Sequence, residues 1–310
     1  MMNGCLACGA CRRCQTRHRD TGRALDCSRP YRNGHPTSHG RRIVALNGPN
    51  DAGTVIAIWY DHYPRTCDLR LRVTEAEGTG MIVFVAGMQR SGSTFVFNIA
   101  RELLAHSGRV YAEPSISIPD VLIRSSSADH VILKSHIADD LLLSLTRHGA
   151  VKTLCTYRCV DDSVASLMDV FGYSLANSIA RIRSWVRMYR HIRAFALNVP
   201  YEALRRDPVS VANRVSKYLG CADDATALAQ KYSRERVFAA SHMMDESGQH
   251  VVNMGSSIYH KVTYFHRRHV PSLRDRVGSH DLPADELNQV KTQLADEIAF
   301  MERCRIEDAT

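Results

Sequence analysis

The stretch from Met81 to His106 constrains the fold more than any other. It opens with Met81-Ile82-Val83-Phe84-Val85-Ala86, a continuous apolar run that is β-branched at its centre. No polar residue alternates within it, so both faces need cover, as in a strand inside a parallel sheet. Gly87-Met88-Gln89-Arg90-Ser91-Gly92-Ser93-Thr94 follows. Beyond it, Phe95, Ile99 and Leu103 recur at helical spacing, with Phe97 and Leu104 beside them. Buried strand, glycine loop and helix together make an anion cradle. Backbone N–H groups at the helix start point at the anion, and the helix dipole favours negative charge there. Small residues permit the close approach. Ser91, Ser93 and Thr94 add hydroxyls, and Arg90 adds a fixed cation. An ordinary helix start with Ser/Thr caps would share the hydroxyls, but not the buried strand in front of an Arg-Ser-Gly-Ser-Thr run.

The loop is not that of a nucleoside triphosphatase. That pattern ends in Gly-Lys-Ser/Thr, where Lys reaches the outer phosphates and the hydroxyl holds Mg²⁺, and no Lys stands there. Gly87–Phe95 resembles instead the 5′-phosphosulfate-binding loop of sulfotransferases that use 3′-phosphoadenosine 5′-phosphosulfate. Cytosolic members of that family usually carry Lys where Arg90 stands; tyrosylprotein, carbohydrate and many bacterial members carry Arg. The resemblance implies a P-loop-like α/β fold over about residues 81–305. It also implies a donor nucleotide held by Arg90, Ser91, Gly92, Ser93, Thr94 and Phe95, with no metal required.

Three further segments bear on that resemblance. Val151–Tyr157 reads as a second buried strand, followed by Arg158-Cys159-Val160-Asp161-Asp162-Ser163-Val164-Ala165-Ser166. Asp161 or Asp162 is placed to cap the next helix, with Ser166 about two turns in. The planar fork of Arg158 suits phosphate oxygens. In the family a strand-end Arg and a Ser eight residues on hold the 3′-phosphate, and Arg158 and Ser166 match them. Val199–Pro208 resembles the segment whose Tyr lies near the adenine, which implicates Tyr201. Val262–Val270 resembles a late basic segment that closes on the 3′-phosphate; Arg267 and Arg268 both stand as candidates.

Sulfuryl transfer needs in-line positioning, a cation at the bridging oxygen and a group that takes the acceptor's proton. His130-Val131-Ile132-Leu133-Lys134-Ser135-His136 is a third short strand with charged groups at its C-terminal end. Ligands of parallel sheets gather at such ends. Lys134 and His136 share one face if the strand continues that far. They look like the family's Lys-Thr-His unit, in which His is the base and Lys assists the leaving group. A competing base is Glu113, at the end of the short strand Arg109–Pro114, where tyrosylprotein and some bacterial sulfotransferases place a Glu. His136 is preferred, and Glu113 stays open.

Composition separates the chain into two parts. Residues 1–80 hold 12 arginines, no lysine, seven acids and six of the ten cysteines. The remainder carries 28 basic and 25 acidic side chains, an excess too small to argue for nucleic acid. The expected division is an extension over 1–80, with a disordered start and a short β-hairpin between 54 and 74, and an enzyme domain over 81–310. Met81 could itself be a start codon. Cys5, Cys8, Cys11 and Cys14 are evenly spaced and offer a zinc or iron–sulfur alternative, although usual zinc knuckles have a longer insert. No apolar run approaches the roughly 18–20 residues of a membrane span, and the Cys/Gly/Arg-rich start has no apolar core of the kind expected of a secretory signal. A cytoplasmic protein with reduced thiols is therefore expected.

The remaining sequence reads as helical. Ser174–Leu197 is one long amphipathic helix, Val209–Leu219 stops at Gly220, Asp285–Cys304 is a terminal helix, and Met243–His260 is a loop that covers the site. The expected fold is a three-layer parallel sheet flanked by helices. The acceptor, a small molecule, carbohydrate, lipid or peptide with a hydroxyl or amine, is set by variable loops that no motif reads. The oligomeric state is likewise open. Two alternatives are a P-loop-related kinase and a non-catalytic nucleotide- or metal-binding regulator.

Overall fold

The computed structural model describes residues 54–59, 70–75, 80–125, 127–222, 225–245, 247–253, 258–270 and 281–308. The sequence up to Arg42, with its four evenly spaced cysteines, lies outside them. Thr54–Trp59 (β1) and Arg70–Glu75 (β2) pair antiparallel, with Thr54 opposite Glu75 and Trp59 opposite Arg70.

The main sheet begins with Met81–Gly87 (β3), followed by helix Ser93–Ala105 (α1). Val110–Pro114 (β4), Ile118–Arg124 (α2), His130–Ser135 (β5) and Asp140–Arg147 (α3) come next. Lys152–Tyr157 (β6), Val160–Phe171 (α4), Leu175–Ile192 (α5) and Ala196–Pro200 (β7) complete five strands in the order β4-β5-β3-β6-β7. Every neighbouring pair is parallel. From β3 the chain leaves toward β4, whereas from β6 it leaves toward β7. The order therefore reverses between β3 and β6, and the crevice beyond their carboxyl ends is where such sheets bind ligands.

Side-chain alternation on β3 builds the layers. Ile82, Phe84 and Ala86 face an apolar layer with α2, α3, α4 and α5, while Val83 and Val85 face a second layer with α1. Residues 82–86 are all at most 2% exposed, which fits a strand covered on both sides. Burying each of the larger side chains contributes roughly 1.5–3 kcal/mol. The second layer is completed by Tyr201–Arg206 (α6), Pro208–Leu219 (α7), Thr226–Lys231 (α8) and Arg234–His242 (α9). Asp207 caps α7 by accepting from the Ser210 N–H at 2.9 Å, and Gly220 ends it with a left-handed φ of 72°. Among the described residues no helix is long and apolar enough to cross a membrane.

Four expectations need correction. The helix read as Ser174–Leu197 ends at Ile192, and a 3₁₀ turn at Arg193–Phe195 leads into β7. Two side-chain bonds of Asn198 fix that turn: it accepts from the Tyr189 hydroxyl at 3.0 Å and donates to the Arg193 carbonyl at 3.2 Å. The terminal helix divides at Leu294 (φ −115°, ψ 23°) into Ala284–Gln293 (α10) and Ala295–Glu307 (α11). Val290 and Leu294 before the break, and Met301 and Cys304 after it, are buried in the same layer. The region read as a loop over Met243–His260 contains a short hairpin, Val251–Asn253 (β8) against Ile258–His260 (β9). Finally, the N-cap of α4 is Cys159, with no side-chain cap bond; Asp161 and Asp162 lie in the first turn.

The loop between β3 and α1 tolerates no extra bulk. A Cβ on Gly87 would lie 2.1 Å from the Ser93 Cβ and 2.8 Å from the Thr156 hydroxyl. Gly172 has a positive φ of 66°, which Gly87 lacks, but open space around it. Gly87→Ala is expected to cost about 3 kcal/mol in urea denaturation, and Gly172→Ala only about 1 kcal/mol. Equal costs would mean that the loop relaxes freely.

Candidate functional site

The loop after β3 is fastened to β6 before any ligand enters. The Met88 N–H donates to the Thr156 carbonyl at 2.8 Å. The buried Ser91 hydroxyl lies 2.6 Å from both the Met88 carbonyl and the Thr156 hydroxyl. Ser91 is thus a structural member of the loop. Gly92 takes φ 84° to start α1, and Arg90 itself stands at φ 66°, a costly conformation without glycine. This geometry points the Arg90 side chain across the crevice to α4. Its Nε donates to the Ser166 hydroxyl at 3.0 Å. The two phosphate motifs are therefore in direct contact.

Arg158 directly follows β6 and is 3% exposed. It pairs with Asp162 at 3.3 Å, donates to the Arg90 carbonyl at 3.4 Å, and lies 5.0 Å from the Tyr201 ring centroid. Tyr201 is the first residue of α6, so the end of β7 carries it to the same crevice. Phe95 turns inward instead; it is 8% exposed and packs with the α1 layer. Ser93 and Thr94 are buried at the helix start.

The late basic segment separates its two arginines. Arg267 is exposed and donates to the Met244 carbonyl at 3.3 Å. Arg268 lies over the Phe171 ring at 5.8 Å, a ring shared with Arg90 at 5.6 Å. The carbonyls of Arg268 and His269 accept from Arg90 Nη1 at 3.0 Å and Nη2 at 3.5 Å. His269 also reaches the Thr94 hydroxyl through Nε2 at 2.9 Å. His266, His269 and Phe171 were not read as site residues from the sequence. The signal for the histidines was their place in one turn with the two arginines; Phe171 gave none.

β5 ends at Ser135, one residue short of His136. His136 Nδ1 bonds the Gly87 carbonyl. A carbonyl only accepts, so Nδ1 carries the proton and Nε2 holds the lone pair. Glu113 sits on edge strand β4, two strands from the loop. Its carboxylate is engaged by the Tyr111 hydroxyl at 2.9 Å and by an ion pair with Arg124. His136 and Lys134 are thus brought to the crevice beside the loop, while Glu113 is bound into a separate cluster.

Cations converge strongly here. Burial brings Lys134 down to about 8. Burial, and then Lys134, bring His136 down to about 4. Burial, and then Arg158, lower Arg90 to about 10. His266 falls to about 4 through burial, Arg90, Lys134 and Arg268. Burial comes first in every case, and neighbouring cations add to it for Arg90, His136 and His266, so an anion in the crevice would relieve part of the shift.

No family model matches the chain, and no curated protein does. Solved structures resemble it in outline. Mouse sulfotransferase SULT7A1 complexed with PAP aligns at 13% identity and a TM-score of 0.47, covering 70% of this chain and 84% of that one. Retinol dehydratase in complex with androsterone and inactive cofactor PAP aligns at 14% and 0.41, covering 79% and 90%. The sulfotransferase domain of the Synechococcus PCC 7002 olefin synthase aligns at 15% and 0.37, covering 72% and 97%. At TM-scores below 0.5 such likeness says nothing about chemistry, which rests on the residues of the crevice.

The depressed histidines give a sign for pH dependence. His136 and His266 titrate near 4 in the folded chain and near 6.5 when unfolded. Between those values the unfolded chain binds more protons. Their contribution to stability is thus complete above about pH 6.5 and is lost as pH falls toward about 4. Urea denaturation between about pH 7 and pH 4.5 should show this decline, and His266→Gln should flatten it. An unchanged slope in His266→Gln would overturn the assignment.

Proposed function

We propose that the chain transfers a sulfuryl group from 3′-phosphoadenosine 5′-phosphosulfate to a hydroxyl or amine. The observation that carries this reading is the Arg90–Ser166 bond. It joins the loop after β3 to the helix after β6, so two anion sites share one crevice at the switch point of the sheet. A nucleotide with phosphate at both ends of its ribose matches two such sites. The repulsion between Arg90 and Arg158, with Lys134 buried nearby, fits a ligand of high negative charge.

The residues take distinct parts. Loop N–H groups, Ser93, Thr94 and Arg90 hold the 5′-phosphosulfate. Arg158, Ser166 and Arg268 hold the 3′-phosphate, and Tyr201 flanks the adenine beside Arg158. The His136 Nε2 lone pair accepts the proton of the acceptor as its oxygen or nitrogen bonds to sulfur. Lys134 neutralises the bridging oxygen as the sulfur–oxygen bond to the 5′-phosphate breaks. The nucleotide then departs as 3′-phosphoadenosine 5′-phosphate. Arg90 offsets charge on the transferred group. A cytoplasmic setting and a domain beginning near Met81 accompany this reading.

Titration calorimetry without Mg²⁺ tests it. The chain should bind 3′-phosphoadenosine 5′-phosphate at least about tenfold more tightly than ATP. Arg158→Ala should lose about tenfold or more, as expected for charge-assisted bonds. His136→Ala should bind the nucleotide normally yet transfer labelled sulfate to an acceptor panel at least about a hundredfold more slowly. Equal affinity for ATP, or full turnover in His136→Ala, would sink the reading or the base assignment respectively.

A further inference from the structure

We propose that His269 is a positioning residue of the anion loop: it donates to Thr94, so that the Thr94 hydroxyl turns its own proton to the bound anion. This rests on the anion-transfer reading above and adds a residue to it. The backbone fixes the direction of each bond. The His266 N–H lies 3.1 Å from His269 Nδ1. A backbone N–H only donates, so Nδ1 accepts, and the proton of the neutral ring sits on Nε2. Nε2 is 2.9 Å from the Thr94 hydroxyl oxygen, which therefore receives that bond. A helical Thr commonly gives its proton to the carbonyl four residues back. For Thr94 that position is Arg90, which precedes α1 and whose carbonyl accepts from Arg158. The open direction is the helix N-terminus, where an anion sits.

The ring is held firmly. It packs on His266 at 3.7 Å between centroids and edge-on to Phe265 at 5.8 Å. The turn is anchored to α1 because the Asn98 side chain donates to the Thr263 carbonyl at 2.8 Å. Burial, then His266, Lys134, Arg90 and His136, keep His269 neutral well below its usual range, which fits the single-proton ring that the geometry requires. His136 has the opposite tautomer, because its Nδ1 faces a carbonyl. One histidine of the crevice presents a lone pair, and the other presents a proton.

The test is calorimetry of the full chain with 3′-phosphoadenosine 5′-phosphate, with thermal melts run alongside. His269→Phe keeps the bulk and removes the donor, and should weaken binding about tenfold. His269→Gln restores an N–H at similar reach and should recover to within about threefold of wild type. In a Thr94→Ala background, His269→Phe should cost nothing further. Phe and Gln variants that bind alike, or losses that multiply in the double variant, overturn the proposal while leaving the nucleotide reading intact. Should wild type fail to bind the nucleotide, that reading fails, and the same variants are titrated with inorganic sulfate. The His269 role then stands if Phe weakens sulfate binding and Gln does not. It falls if the two are equal or if sulfate does not bind.

Discussion

Arg90 and Arg158 are held close together at one end of a parallel sheet, where they repel one another, and Lys134 is buried at the end of the neighbouring strand. Such convergence is unfavourable in isolation, and the surrounding structure makes it persist. Parallel pairing of β3 with β5 and β6 fixes the three strand ends side by side. The Ser91 hydroxyl fastens the first loop to β6, and Asp162 compensates the most deeply buried guanidinium. Strain at Arg90 belongs to the same account, since a left-handed backbone directs that side chain toward α4.

Within this field, backbone groups decide what each imidazole can do. A carbonyl facing Nδ1 makes His136 a proton acceptor at Nε2, and an N–H facing Nδ1 makes His269 a donor there. The same ring chemistry is divided into two roles without any difference in side chain. Glu113 shows the contrary arrangement: its carboxylate is committed to Tyr111 and Arg124. A strand end on the edge of the sheet does not by itself bring a carboxylate to the crevice.

Much of this was readable from sequence because it is local. The apolar run at 81–86, the glycine loop and the helical row from Phe95 define β3, its turn and α1 with no tertiary information. Arg158 and Ser166 stand out only through their resemblance to a family motif; alone, Arg158 reads as an ordinary loop cation. β7 was lost because Ala196, Leu197 and Val199 are too few to break the helical period of α5, and only pairing with β6 makes them a strand. Phe95 was assigned to the ligand by its neighbours, yet its row on α1 points to the core. The choice between Arg267 and Arg268 depends on which way a turn faces. His266 and His269 carry no sequence signal of their own, since in a basic run a histidine looks the same whether it meets solvent or another ring.

The guanidinium of Arg90 is never bare. Each of its three nitrogens donates to a protein oxygen, Nε to the Ser166 hydroxyl and Nη1 and Nη2 to the carbonyls of Arg268 and His269. An incoming oxyanion therefore substitutes one set of oxygens for another, and its net gain is the difference between the two. The exchange also runs backwards. When an oxyanion leaves, the same protein oxygens can take its place, so departure exposes no unsolvated charge. A site built on cations alone would hold an anion more tightly; this one carries its own displacing oxygens.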